Sequence, residues 1–206
     1  MQNLTLYTNP QSRGRIVRWM LEELEIPYET EVMEYGSFKS PEYLAINPMG
    51  KVPAIRHGDT VVTEVAAICA YLADRFPERG LAPAPDSTER GTYYRWLFYA
   101  AGPLDMAITT KAFGWEIDDE KAVAAGCGLY QTAIDTLEQA VRNARPWLCG
   151  EQFTATDVVV ASYLGFYTMM KMMEPRPVFE EYVKRAKARP AAVRANEKDD
   201  ALVKVA

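Results

Sequence analysis

Three polar segments of the N-terminal part have residue types that could bind a charged small molecule. Asn9 and Ser12 precede the first helical pattern, and Glu64 stands at the start of another. The first N–H groups of a helix have no internal partner and bind anions readily. Between these positions, Lys51 stands just before Val52-Pro53, an X–Pro pair whose peptide bond can be cis. We therefore take these segments as the first candidates for a binding site.

Each of these residues also has a purely structural interpretation. Ser12 suits a helix N-cap, and Glu64 is favoured at a helix start by the helix dipole. Lys51 is equally well explained as a solvated surface lysine. A trans proline at position 53 would simply begin an edge strand, and without further information the trans form is favoured. For the other three residues the two interpretations are evenly matched.

The cysteine and histidine content limits metal and redox chemistry. Cys69, Cys127 and Cys149 are widely spaced, no CxxC pair occurs, and His57 is the only histidine. We therefore expect neither a metal site nor a redox dithiol. Isolated cysteines are typical of a reducing compartment, so we expect a cytoplasmic protein.

Composition excludes several classes of partner. The chain has 206 residues, 49% of them hydrophobic, and a formal net charge of −5. An acidic surface argues against nucleic acid or an anionic membrane as the main partner. The first residues lack the basic and apolar regions of a signal peptide, and the apolar stretch at 158–173 is too short and interrupted to span a bilayer.

The first 76 residues alternate strand and helix patterns. Alternating or β-prone runs predict strands at 4–8, 28–32, 52–56 and 60–63, and Gly58-Asp59 predicts a tight turn between the last two. Helical spacing predicts a helix that begins near Ile16 and stops before Pro27, a short helix at 40–42 and a third at 64–75. The order is βαβ followed by αββα, which is the thioredoxin order.

The rest of the chain predicts helices. Prolines and glycine mark residues 77–85 as a linker, and residues 86–206 form the predicted all-helical domain, a C-terminal bundle. Asp86 with Glu89 resembles a capping box that opens a long helix, which Pro103 should kink. Thr154 with Asp157 predicts a second capping box ahead of a central apolar helix.

At this point the sequence resembles the glutathione transferase superfamily. Four segments carry the resemblance, in the right order: Asn9-Pro10-Gln11-Ser12-Arg13-Gly14-Arg15, Asn47-Pro48-Met49-Gly50-Lys51-Val52-Pro53-Ala54-Ile55, Thr63-Glu64-Val65-Ala66-Ala67-Ile68, and the stretch from Trp147 to Asp157. Among the subfamilies, the chain looks most like the bacterial and fungal types that lack a catalytic tyrosine.

The resemblance implies a binding site for glutathione as co-substrate, with no metal. In this site a cis Val52–Pro53 bond presents the Val52 backbone to the cysteinyl unit, and Lys51 neutralises the glycyl carboxylate. The Glu64 side chain pairs with the ammonium group, and the Val65 N–H binds the γ-glutamyl carboxylate. Most of the family has a serine where this chain has Val65, so we expect glutathione affinity to be weaker by roughly 0.5–1.5 kcal/mol.

The resemblance also implies a donor that keeps the glutathione sulfur anionic. The matching position is Asn9, placed by alignment of Arg13-Gly14-Arg15, and Ser12 is the alternative. Tyr7 lies on the alternating strand and is expected in the core. No cysteine falls near this turn, which argues against thiol chemistry of the omega or glutaredoxin type.

The implied activity is conjugation of glutathione to a hydrophobic electrophile, as in detoxification. Tyr99, Pro103 and Met106 are the candidate residues of the electrophile pocket. Two alternatives stay open: a glutathione-dependent disulfide or peroxide reductase, and a non-catalytic transferase-like interaction module. By resemblance, the partner is expected to be a second copy of the chain, in a homodimer.

Overall fold

The structure, a computed structural model, describes residues 3–203. Its strands are β1 (Leu4–Thr8), β2 (Glu29–Val32), β3 (Ala54–His57) and β4 (Thr60–Thr63). Its α-helices are α1 (Gly14–Leu24), α2 (Pro41–Leu44), α3 (Val65–Arg75), α4 (Glu89–Tyr99), α5 (Asp105–Ala112), α6 (Asp119–Ala122), α7 (Tyr130–Arg142), α8 (Ala155–Met169), α9 (Pro177–Lys187) and α10 (Pro190–Asp200). None of the helices in this range is both long and apolar enough to cross a membrane.

The four strands form one mixed sheet in the order β2-β1-β3-β4. Strand β1 pairs in parallel with β2, as expected of two strands joined through a helix, and antiparallel with β3. Strands β3 and β4 form the predicted hairpin, with Gly58 at φ 59° in the two-residue turn. The thioredoxin-like order is confirmed. Strand β3 begins at Ala54, two residues later than predicted.

Helix α1 packs its apolar stripe into the core of this unit. Val17, Met20 and Leu21 have no exposed surface. The helix ends at Leu24, and Glu25 adopts a left-handed conformation ahead of Pro27. The predicted stop before Pro27 is therefore confirmed.

The helical part confirms one capping box and contradicts the other. Thr154 and Asp157 make both bonds of a capping box at the start of α8. Asp86 makes no such cap: α4 begins at Glu89, whose carboxylate accepts a hydrogen bond from the Ser87 hydroxyl. Because Ser87 engages Glu89, that carboxylate is not directed back to the backbone at Asp86. Helix α4 continues into a π-helical turn at Ala100–Leu104, which accommodates Pro103 before α5 begins.

The chain forms two compact units, one comprising residues up to Arg79 together with those from Ala188 on, the other Gly80–Lys187. The sequence predicts different boundaries: a first domain at 1–76, a linker at 77–85 and a helical domain over 86–206. These boundaries stay a prediction; by its contacts in the structure, α10 belongs to the first unit. Helix α10 was not predicted, because its buried apolar side chains are alanines (Ala191, Ala192 and Ala195), which give little hydrophobic periodicity.

Ion pairs attach α10 to α1 within the first unit. Arg18 and Asp199 form a buried pair at 2.7 Å, and their side chains are 3% and 0% exposed. Arg189 donates two hydrogen bonds to Glu23, at 2.7 Å each. Polar pairing thus adds to the apolar contact of the small alanine side chains of α10.

Candidate functional site

The candidate residues gather at one edge of the sheet. The register pairs Ala54 of β3 with Tyr7 of β1 and with Thr63 of β4. Because paired residues lie side by side, the segment after β1, the segment before β3 and the segment after β4 leave the sheet at the same edge. These segments carry the N-terminal site residues predicted from the sequence. Tyr7 itself is 6% exposed and belongs to a hydrophobic cluster, as predicted.

Asn9 anchors the loop between β1 and α1. Its amide nitrogen donates to the Met33 carbonyl at 2.8 Å, and its Oδ1 accepts from the Gln11 N–H at 2.8 Å. The residue is only 7% exposed. An amide nitrogen has two hydrogens, so Asn9 retains at most one N–H for a ligand.

Ser12 closes the start of α1. Its hydroxyl donates to the Asn9 carbonyl at 2.6 Å and accepts from the Gly14 N–H at 3.0 Å. The serine lies one residue before the N-cap, Arg13, which makes no side-chain capping hydrogen bond. A ligand sulfur would have to compete with the Asn9 carbonyl for the serine proton.

Gly14 allows the helix to approach the end of β1 closely. A Cβ at this position would lie 1.9 Å from the Thr8 Oγ1 and 3.0 Å from the Thr8 Cβ. The Thr8 hydroxyl is buried and has no hydrogen-bond partner within residues 3–203. The sequence did not single out this contact, although a glycine at a helix start was a signal for it.

Arg15 of α1 connects the same loop to α10. Its Nε donates to the Pro10 carbonyl at 2.5 Å, and its Nη2 contacts the Asp200 carboxylate at 2.6 Å. Sequence reasoning missed this role because it did not predict α10.

The Val52–Pro53 peptide bond is cis, as the sequence resemblance implied. The Lys51 carbonyl before it accepts hydrogen bonds from the Tyr43 hydroxyl and the Asn47 amide nitrogen, both at 2.7 Å. Burial raises the pKa of Tyr43 to about 12, so its hydroxyl stays protonated as a donor. The Val52 N–H and C=O have no hydrogen-bond partner in the described part of the chain.

Glu64 opens α3 in a strained conformation. Its backbone has φ 67° and ψ 124°, and its carboxylate is exposed with no partner among the described residues. A positive φ in a residue with a side chain is sparsely populated and tends to cluster at ligand sites. Val65 buries its side chain, and the first helical N–H groups, which begin with its own, have no internal partner.

This edge of the sheet therefore offers complementary groups. The exposed Lys51 is a cation, Glu64 is an anion, and the start of α3 binds anions. The Val52 backbone can pair with an extended peptide in strand fashion. A peptide that carries both carboxylates and an ammonium group fits this set.

The predicted electrophile-pocket residues lie in the helical unit. The Tyr99 hydroxyl donates to the Ala133 carbonyl of α7 at 2.9 Å, and burial raises its pKa. Pro103 lies in the π-helical turn, and Met106 is 51% exposed. The three residues thus follow one continuous stretch of chain. The Tyr99 hydroxyl is already committed to α7.

The cysteines form no disulfide. Cys69 and Cys127 are buried, and Cys149 is half-buried. Burial raises the pKa of the Cys69 thiol to about 12 and that of Cys149 to about 11. Neither of these two thiols is therefore activated as a nucleophile.

Known proteins resemble the chain along nearly its whole length. Glutathione S-transferase GstB of Escherichia coli strain K12 is 28% identical over 196 residues, which span 89% of this chain and 92% of GstB. The disulfide-bond oxidoreductase YfcG of the same strain is 27% identical over 207 residues, 93% of this chain and 94% of YfcG. A sphingomonad glutathione S-transferase, solved in complex with glutathione, superposes with a TM-score of 0.76 at 25% identity, covering 95% of this chain and 98% of that one.

Family models match both parts of the chain. The model of the N-terminal domain of glutathione S-transferases matches residues 12–75, and that of the C-terminal domain matches residues 120–185. Together the two matches cover more than half of the chain. The chain belongs to the glutathione S-transferase superfamily.

Proposed function

We propose that the chain binds glutathione at the sheet edge formed by the ends of β1 and β4 and the start of β3, and transfers it to a hydrophobic electrophile. One observation carries the proposal. The Val52 backbone, the Glu64 carboxylate and the first N–H groups of α3 lie at one edge, and none of them has a partner within the described range. Most polar backbone groups of a fold have hydrogen-bond partners, so groups that lack one are available to a ligand.

In this proposal each part of the tripeptide has its own partner. The γ-glutamyl carboxylate binds the start of α3, and its ammonium group pairs with Glu64. The cysteinyl backbone pairs with Val52, and Lys51 faces the glycyl carboxylate. The valine at position 65 contributes its N–H but no hydroxyl, so we expect a modest glutathione affinity.

The catalytic task is to keep the glutathione sulfur anionic. A free thiol with a pKa of about 8.5 is only a few per cent ionised at pH 7, and the thiolate is the nucleophile. The sulfur lies, in this proposal, near the start of α1, where the helix dipole favours negative charge. Ser12 or the remaining N–H of Asn9 donates the stabilising hydrogen bond. Holding both reactants together lowers the entropic part of the barrier.

The similarity to YfcG favours a second candidate reaction. That relative is a disulfide-bond oxidoreductase, and it spans nearly the whole chain. In this alternative the bound thiolate attacks a disulfide sulfur or a peroxide oxygen instead of carbon. The S–S or O–O bond breaks and releases a thiolate or an alkoxide, and a second glutathione then forms the glutathione disulfide. Turnover of chlorodinitrobenzene, hydroxyethyl disulfide and a hydroperoxide, compared at equal enzyme concentration, decides between the two reactions.

The test of the proposal is calorimetric titration of glutathione together with these assays. We expect saturable binding that Glu64→Ala weakens and that a matched surface variant, Glu151→Ala, leaves unchanged. Absence of binding to the unmodified protein would overturn the proposal. Binding without turnover of any of the three substrates would favour the non-catalytic module instead.

We also propose that Tyr99, Pro103 and Met106 contact the electrophile. Met106 is half exposed, and Pro103 lies in the wider π-helical turn. Together they give an apolar surface that a hydrophobic ligand can cover. Tyr99→Phe should change the KM for the electrophile and leave glutathione affinity unchanged.

Finally, we propose a cytoplasmic homodimer. Phe98 is 52% exposed and stacks on Tyr94 with ring centroids 5.9 Å apart, which leaves an apolar patch on α4 for a second copy to cover. Three unpaired cysteines suit a reducing compartment. A sedimentation mass of a monomer would contradict the dimer.

A further inference from the structure

A second cleft opens at the opposite edge of the same sheet. The register pairs Leu4 of β1 with His57 of β3, and β2 begins beside them at Glu29. The cleft has a volume of about 390 Å³ and lies entirely within the N-terminal unit. Strand β1 spans roughly 13 Å at about 3.3 Å per residue, so this cleft is well separated from the proposed glutathione site. Small-molecule sites commonly begin at about this size.

The walls of the cleft are mainly apolar and aromatic. Ile26, Pro27 and Tyr28 form one side, on the segment that enters β2, and Phe76 forms another, just after α3. The Phe76 ring stacks on the His57 imidazole, with centroids 6.1 Å apart and an interplanar angle of 23°. A flat ring would find parallel aromatic surface here.

His57 is a buried polar residue that lines this cleft. The residue is 6% exposed, and its Nδ1 lies 3.0 Å from the Tyr71 hydroxyl. Its Nε2 has no hydrogen-bond partner from any residue of the described chain. Burial and the charge of Arg75 lower the pKa of His57, so the imidazole is neutral at pH 7. When Tyr71 donates to Nδ1, the Nε2–H is left as a donor without a partner among the described residues.

The rim of the cleft carries one exposed cation and one exposed anion. Arg75 lines the cleft, and its guanidinium has no ion-pair partner within residues 3–203. Glu29 also lines the cleft. A guanidinium and an imidazole N–H together suit a carboxylate, because charge-assisted hydrogen bonds are the stronger ones.

We propose that this cleft is a second small-molecule site, which binds a planar aromatic carboxylate with its ring against Phe76 and its carboxylate on Arg75 and His57. The proposal does not rest on glutathione binding. It uses residues of the opposite sheet edge and predicts that both ligands bind at once. The Glu29 carboxylate opposes the ligand charge and sets a limit on affinity.

The single histidine makes a direct test possible. The proton NMR spectrum should contain one imidazole Cε1–H resonance, which is that of His57 without any assignment experiment. We use benzoate as the probe and benzamide as its neutral analogue. Benzoate should shift this resonance saturably and raise the pKa of His57, since an anion beside the ring favours the imidazolium. Benzamide should bind more weakly and leave that pKa unchanged.

Substitutions at the rim test the assignment of charge. Arg75→Gln should weaken benzoate binding about threefold to tenfold, the range for loss of an exposed charge-assisted contact. Glu29→Gln should strengthen it, and Arg145→Gln, a matched exposed arginine in the other unit, should leave it unchanged. Saturating glutathione should leave the benzoate titration unaltered.

Several outcomes would overturn the proposal. They include a benzoate titration with no saturable shift of the His57 resonance, an equal response to benzamide, and an Arg75→Gln protein that binds benzoate as tightly as the parent. Displacement of benzoate by glutathione would place the ligand at the other edge and would also refute a second site. Failure of glutathione to bind would refute the proposed function alone.

Discussion

Two helix starts in this molecule solve the same physical problem in opposite ways. At α8, the Asp157 carboxylate accepts from the Leu148 and Thr154 N–H groups at 3.0 and 2.9 Å and from the Tyr182 hydroxyl at 2.6 Å. At α3, the first N–H groups and the Glu64 carboxylate have no partner in the described part of the chain. The first helix start is closed by the protein itself, and the second is left open.

The difference separates a folding device from a binding device. A buried, fully satisfied carboxylate fixes how the loop before α8 meets α9. An open start with a strained residue lowers stability unless a ligand completes it. Helix α1 is intermediate. The Ser12 hydroxyl accepts a hydrogen bond from the Gly14 N–H, but it also lies beside the proposed position of the glutathione sulfur. Stability and ligand affinity should therefore respond differently at the three helix starts.

The largest effect is expected at the closed start. Asp157→Ala should lower the free energy of unfolding by about 3–5 kcal/mol, because it leaves the Leu148 N–H and the Tyr182 hydroxyl buried without an acceptor. Urea unfolding followed by circular dichroism measures this change. Asp118→Ala, which removes the exposed cap of α6, is the matched control and should have a much smaller effect. Equal effects at the two positions would show that the buried carboxylate at α8 stabilises the fold no more than an exposed cap does.

The next effect is expected at the start of α1. Gly14→Ala should lower stability by about 1–3 kcal/mol, because the added Cβ would meet the Thr8 side chain at 1.9 Å. Adding Thr8→Ala should recover part of the loss, since it removes the hydroxyl, whereas Thr8→Val should not. The control is Gly91→Ala in α4, where no atom lies within 4 Å of the place that a methyl group would occupy, and alanine should stabilise by up to about 1 kcal/mol. A stabilising Gly14→Ala would refute the close contact.

A smaller effect is expected at the open start of α3, where stability and glutathione affinity should change separately. Glu64→Gly should raise stability by about 1 kcal/mol, because glycine adopts a φ of 67° without strain. Glu64→Ala should keep the strain. Both variants should weaken glutathione binding about tenfold, through loss of a charged hydrogen bond. Thermal unfolding with and without glutathione measures both quantities, and a Glu64→Gly protein that binds as tightly as the parent would contradict the role of the carboxylate.

Much of the fold was predictable because its signals are local. The alternation at β1, the turn at Gly58-Asp59 and the capping box at Thr154 and Asp157 each depend on a few neighbouring residues. Helix α10 was not predictable, because it is held by pairs such as Arg18–Asp199, 181 residues apart. No pattern within α10 indicates such partners.

The site was predictable in its segments and less so in its hydrogen bonds. Family motifs singled out Asn9, Pro53 and Glu64, and the strand register of the structure brings their segments to one edge. The Asn9 side chain makes hydrogen bonds with Met33 and Gln11, and Arg15 donates to the Pro10 carbonyl. These bonds depend on loop geometry that the sequence does not encode locally. The choice between Asn9 and Ser12 as sulfur donor therefore stays a prediction for mutagenesis.

The smallest effect expected is in the pH dependence of stability, and it has opposite signs at two residues. The pKa of His57 is lowered by burial and by Arg75, so between that value and the unfolded pKa of about 6.5 only the unfolded chain binds the proton. Stability should fall as pH drops through this window. Burial raises the pKa of Asp157, so above the unfolded pKa of about 3.9 the folded chain holds a proton longer, and stability should fall as pH rises there.

These opposite slopes can be separated by substitution. Urea titration at pH values from neutral downward measures the free energy of unfolding. In His57→Asn, the decline of this free energy just below pH 6.5 should disappear. Arg75→Gln should reduce the decline, because it removes a charge that disfavours the imidazolium. Arg145→Gln, which changes an exposed arginine of the other unit, should leave the decline unchanged. If Arg145→Gln reduced the decline as much as Arg75→Gln, the effect would come from the net charge of the protein and not from the position of Arg75 near His57.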